Sequence, residues 1–96
     1  MKYRDFLTLH VLHHASEEPV TGSFLMEELR RHGYSISPGT MYPLLHSLER
    51  EGLLRSHWEV RDGRRVRVYE ITEAGKETLE EGKKKLKELC LELLGE

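Results

Sequence analysis

Ninety-six residues, of which 33% are charged and 38% hydrophobic, make one small domain with a single modest core, and no apolar run approaches the ~20 residues of a membrane span. The lone cysteine, Cys90, excludes an internal disulfide and fits a reducing cytoplasm, while His10, His13 and His14 interrupt the apolar stretch a signal peptide would need. The net charge of −2 conceals a split: residues 1–29 and 68–96 each carry −3, whereas residues 30–67 carry +4, the asymmetry expected of a local polyanion site.

A first helix is expected from Lys2 to Ala15. Tyr3, Phe6, Leu7, Leu9, Val11 and Leu12 cover more than one side of its wheel, so it should touch two neighbours. Pro19 breaks the chain after it. Thr21 or Ser23 then caps a second helix running to about His32, anchored by Phe24, Leu25 and Leu29, with charges that complement its dipole. Gly33-Tyr34-Ser35-Ile36 turns the chain into a third helix, Ser37 to Gly52. Ser37 can cap it, Pro38 fits its first position, and Gly52 suits a left-handed stop. Met41, Leu44, Leu45 and Leu48 form one apolar stripe. Pro43, His46 and Arg50 lie opposite, flanked by Thr40 and Ser47 on one side and Tyr42 on the other. Leucines inward and small polar groups outward suit a helix entering a DNA major groove; an ordinary solvated face reads the same way until the following segment is considered. Two helices joined by a short glycine-containing turn form a helix-turn-helix layout.

After Gly52 the period falls from 3.6 to 2. Leu54, Ser56, Trp58 and Val60 share one strand face, and Arg55, His57 and Glu59 the other. Asp62-Gly63 favours a tight hairpin, and the return strand runs from Arg65 to Ile71. Both its faces carry apolar groups, and Tyr69 and Ile71 are the better candidates for the core. Arg61, Arg64, Arg65 and Arg67 crowd the tip, where like charges repel unless an anion or solvent screens them. Thr72 caps the last helix. Gly75, Leu79, Gly82, Leu86, Leu89 and Leu93 alternate along it by four and three residues, a heptad seam suited to a second copy or a partner helix.

The order of these elements resembles the PadR-type transcriptional regulators. The resemblance is carried by Gly39-Thr40-Met41-Tyr42-Pro43-Leu44-Leu45-His46, Leu48-Glu49-Arg50-Glu51-Gly52-Leu53, Gly63-Arg64-Arg65 and Tyr69-Glu70-Ile71-Thr72-Glu73-Ala74-Gly75. It implies a mainly α fold with a small β-hairpin: a winged helix-turn-helix over residues 1–71 and a C-terminal dimerisation helix over 72–96, as in the short subgroup of the family. It further implies a cytoplasmic homodimer on a two-fold operator, acting as a repressor relieved by a small-molecule effector. Thr40, Tyr42 and Pro43 then fall on the DNA-facing start of the recognition helix, and Arg64 and Arg65 on the wing. Residues 72–96 hold no Trp, Phe or Tyr, unlike relatives that set an aromatic beside a flat drug pocket.

The expected DNA-binding set is Ser37, Thr40, Tyr42, Pro43, Ser47, Arg50, Arg61, Arg64, Arg65 and Arg67. The expected dimer interface is Phe6, Leu9, Leu79, Leu86, Leu89 and Leu93. No phosphate loop, nucleophile elbow or HExxH element is present, and Glu49 and Glu51 point apart at i, i+2, so no enzyme and no cofactor are expected. His10 and His14 make an i, i+4 pair that Cys90 could approach across a dimer. No carboxylate sits at a matching interval and the histidines interleave with core residues, so no metal is expected. The rival reading is a helical protein–protein interaction module that dimerises through its last helix without binding DNA; the arginine cluster on the hairpin argues against it.

Overall fold

Four helices and one hairpin follow one another in the expected order in the computed structural model, which describes residues 3–95: α1 (Tyr3–Glu17), α2 (Gly22–Arg31), α3 (Pro38–Arg50), β1 (Leu54–Arg61), β2 (Arg64–Ile71) and α4 (Glu73–Leu94). Lys2, the expected start of α1, lies outside the described residues. No helix among them is long and apolar enough to cross a membrane.

The wide apolar arc of α1 has its explanation in its neighbours, for the helix packs against α2, α4 and β2. Leu7, Val11, Leu12 and Ala15 are buried in a common core with Leu25 and Leu29 of α2 and with Met41, Leu44, Leu45 and Leu48 of α3. The whole α3 stripe is therefore internal. Phe24, expected as an α2 anchor, is 41% exposed; it sets its ring edge-on to His14 instead, with centroids 6.0 Å apart. Of the two candidate caps for α2, Thr21 takes the position, its Oγ1 accepting from the Phe24 N–H at 3.2 Å. Ser37 makes no side-chain cap on α3; only its carbonyl serves the first turn, accepting from the N–H groups of Thr40 and Met41.

The hairpin pairs Leu54 with Ile71 at its base and Arg61 with Arg64 at its tip. Asp62 and Gly63 both have positive φ (52° and 74°), the type I′ geometry whose twist matches that of the strands. Tyr69 is 1% exposed in the core, as expected, yet Val68 on the opposite face is also fully buried, so the base of the hairpin is covered on both sides. One extra backbone pair extends the sheet. Val20 and Tyr69 exchange N–H···O bonds of 2.9 and 2.8 Å, which fixes the segment after Pro19 against β2.

Thr72 joins the hairpin to α4. Its hydroxyl donates to the Gly52 carbonyl and accepts from the Gly75 N–H, a cap that also holds the end of α3. Gly75 packs on the Leu53 carbonyl so closely that a Cβ would collide with backbone. Burial along α4 then fades: Leu79 is 4% exposed, Gly82 and Leu86 are half-buried, and residues 87–94 are exposed. The helix runs past the core, giving a molecule 51 Å long and only 28 × 20 Å across.

Candidate nucleic-acid interface

Helix α3 presents its opening turn to solvent. Ser37, Pro38, Gly39 and Thr40 are all exposed. Pro38 lacks an N–H, and Pro43 removes the bond that the Gly39 carbonyl would otherwise accept. The Thr40 and Met41 N–H groups are taken by the Ser37 carbonyl, so Gly39 offers the one first-turn N–H without a backbone partner among the described residues, at the positive end of the helix dipole. Tyr42 is tied to the neighbouring helix. A Cβ built on Gly22 would lie 2.5 Å from Tyr42 Cε1 and 2.9 Å from its hydroxyl, so the ring fills the space that glycine leaves at the start of α2. The ring is still 37% exposed.

Ser47 was expected beside Thr40 on the outer flank, but its hydroxyl is turned toward α1. It accepts from Arg4 Nη2 at 3.0 Å and donates to Glu51 Oε2 at 3.0 Å, and Arg4 bonds the same carboxylate at 2.9 Å. Arg50 is exposed beyond it, sharing a shallow cleft with His46, Glu49 and Arg67.

The four arginines of the hairpin divide. Arg61 pairs with Glu59 at 3.1 Å, and Glu59 also meets His57 at 2.6 Å. The bond from His57, then that from Arg61, holds the Glu59 carboxyl below its ordinary value, so it stays ionised and offsets part of the tip charge. Arg67 belongs to the frame. Its Nε donates to Ser56 Oγ at 2.9 Å and its Nη2 to Glu49 Oε1 at 3.3 Å, while Glu49 also accepts from the Ser56 backbone and hydroxyl. This cluster locks the hairpin onto α3. Arg64 and Arg65 are exposed and form no ion pair among the described residues. Arg65 stacks its guanidinium 4.6 Å above the Trp58 ring, an arrangement that keeps the side chain extended without consuming its charge.

Between the start of α2, the outer face of α3 and the hairpin lies an open groove of about 600 Å³, walled by Thr21, Tyr42, His46, Trp58, Arg64 and Arg65. Tyr69 also borders it. Its hydroxyl is buried with no partner among the described residues, and burial raises its pKa, so it stays protonated as a donor. Sequence reasoning missed three residues here: Glu49, Ser56 and Trp58. Only Trp58 carried a signal, an aromatic on a strand with arginines at nearby cross-strand positions.

The expected dimer residues form a second surface. Phe6, Leu9 and Leu86 border an apolar groove of about 280 Å³ between α1 and α4, and Leu89 and Leu93 continue it as exposed side chains, 38% and 69% accessible. Leu79 also lines that groove, but it is held within its own chain's core, because α4 is still pressed on α1 at that turn.

Residues 11–81 match the Transcriptional regulator PadR-like family. The chain is 52% identical over 92 residues, 96% of its length and 86% of the relative's, to the transcriptional regulator Rv3488 of Mycobacterium tuberculosis. Among solved structures it resembles a PadR-like transcriptional regulator from Bacillus cereus (31% identity, TM-score 0.85, 93% of this chain and 88% of that one). It also resembles a PadR family regulator from Eggerthella lenta (34% identity, TM-score 0.81, 91% of this chain and 77% of that one). The four helices, the wing and the sequence agree, and the chain belongs to the PadR-like family of transcriptional regulators, with a winged-helix fold.

Proposed function

We propose that the protein is a cytoplasmic DNA-binding repressor that acts as a homodimer on a two-fold operator and is released by a small-molecule effector. Residues 1–71 bind DNA and residues 72–96 dimerise. One observation carries the reading: Tyr42 and His46 on the outer face of α3 and the exposed Arg64 and Arg65, which form no ion pair among the described residues, open on the same groove, so base-edge and phosphate contacts can be made together. Thr40, Tyr42 and the start of α3 face the major groove; Arg64 and Arg65 reach phosphates or the adjoining minor groove. Dimerisation is supported by the exposed leucines at the end of α4, an apolar strip continuous with the groove beside Phe6 and Leu9. The repressive direction and the effector rest on the family resemblance.

Selecting bound fragments from the source genome tests this. The expected product is a two-fold site whose half-sites lie about 34 Å apart or a multiple of it. Recovery of no preferred fragment, with the dimer intact, favours the rival reading of an interaction module.

A further inference from the structure

The far side of α1 gathers histidines that play no part in the interface. His14 in its last turn, Glu28 of α2 and His32 at the end of α2 bring one donor atom each to within 4.8 Å of one another. His14 Nε2 stands 3.9 Å from Glu28 Oε2, and the two side chains are only 11% and 19% exposed, while His32 is open to solvent. We propose that His14, Glu28 and His32 form a binding site for a divalent transition-metal ion of the zinc type.

Two imidazoles and a carboxylate are a donor set that zinc accepts, with a fourth position left open. A tetrahedral ion with bonds of about 2.0–2.2 Å holds neighbouring donors roughly 3.3–3.6 Å apart. Modest rotation of His32 and Glu28 closes the present spacing to that value. Glu28 is already oriented for the task. Its Oε1 accepts from Arg31 Nη1 at 2.8 Å, which leaves Oε2 toward His14. Neither His14 nor His32 spends a ring nitrogen on a hydrogen bond within 3.5 Å among the described residues. Aromatic rings border the site: Phe24 is edge-on to His14, and His10, 5.7 Å from the His32 ring, packs on Tyr34. An ion here would tie the end of α1 to the end of α2, one turn of chain before α3.

A competing group shares His14. His13 and Glu17, four residues apart on α1, also approach it, so Glu17 is the carboxylate at a matching interval that the sequence reading overlooked. Zinc chloride titrated against a chromophoric chelator, with the metal-free full chain, distinguishes the two. One zinc per chain is expected, with affinity reduced about tenfold or more in His32→Gln and in Glu28→Gln, and unchanged in Glu17→Gln and Cys90→Ser. Cobalt(II) should give the visible band of a low-coordinate site in the wild type and lose it in His32→Gln. Absence of zinc binding overturns the proposal. So does binding that survives His32→Gln, or that is lost in Glu17→Gln or Cys90→Ser while His32→Gln retains it. His32 is exposed, so its variant is expected to fold, and circular dichroism of the metal-free protein checks this; if Glu28→Gln fails to fold, His32→Gln decides alone.

Discussion

Glu49 holds the wing in place although it carries the charge opposite to the one the wing displays. Its carboxylate collects the Ser56 N–H, the Ser56 hydroxyl and the Arg67 guanidinium, bonds that span 7 and 18 residues of chain. Removing it takes the acceptor from three donor groups on two half-buried residues, so Glu49→Ala is expected to lower stability by about 1–3 kcal/mol in urea unfolding. Arg64→Ala, at an exposed tip, should stay within about 0.5 kcal/mol of wild type. Equal stability of both variants would show that the cluster contributes nothing. Spacing alone did not reveal this division of labour. Arg64, Arg65 and Arg67 look alike in sequence, and only the register, which sets Arg67 opposite Trp58, separates a framing arginine from two free ones. Tyr42 poses a related question, since its ring packs on Gly22 while its hydroxyl has no hydrogen-bond partner among the described residues. Tyr42→Phe keeps the packing and is expected to retain stability while losing roughly 1 kcal/mol of DNA affinity, the worth of one hydrogen bond. Melting and DNA titration of the same sample test both halves, and undiminished affinity would make Tyr42 a packing residue only.

At the scale of elements, α4 serves two structures in succession. Its first two turns belong to the monomer's core through Gly75 and Leu79, and its last two turns offer Leu89, Leu93 and Leu94 to solvent. The heptad pattern was legible, but a repeat of four and three residues does not say where one partner ends and the next begins. That boundary depends on how far α1 extends alongside. Leu89→Glu combined with Leu93→Glu changes only exposed positions and should yield monomers of unchanged helicity by sedimentation and circular dichroism; a wild-type chain that is already monomeric at micromolar concentration contradicts the dimer. Gly75→Ala probes the other end. Its new methyl would meet the Leu53 carbonyl and Ile71, so a loss of about 1–3 kcal/mol is expected despite alanine's better helix propensity. Helix α3 was the most legible element. Its stripe, its N1 proline and its left-handed Gly52 follow from local chemistry, whereas the missing Ser37 cap and the inward turn of Ser47 depend on side-chain geometry and on Arg4, 43 residues away.

Over the whole molecule, the charge split read from the sequence becomes a division of surfaces. Of the arginines in the middle of the chain, Arg61, Arg64, Arg65 and Arg67 gather on the wing along one groove, while the acidic C-terminal segment runs out along α4. A chain of net charge −2 can therefore meet a polyanion on one side without attracting it everywhere. The histidine cluster lies apart from that groove, which leaves metal binding and DNA binding separable by mutation. The proposed contacts of Arg64 and Arg65 with phosphate are measured directly by salt dependence. DNA affinity titrated across a range of salt, for wild type and for Arg64→Ala with Arg65→Ala, is expected to give a slope of log K against log salt shallower by about 1.8 in the double variant, two phosphates' worth at about 0.9 each. An unchanged slope in a variant that folds normally and keeps the oligomeric state of the wild type would mean that neither arginine touches phosphate.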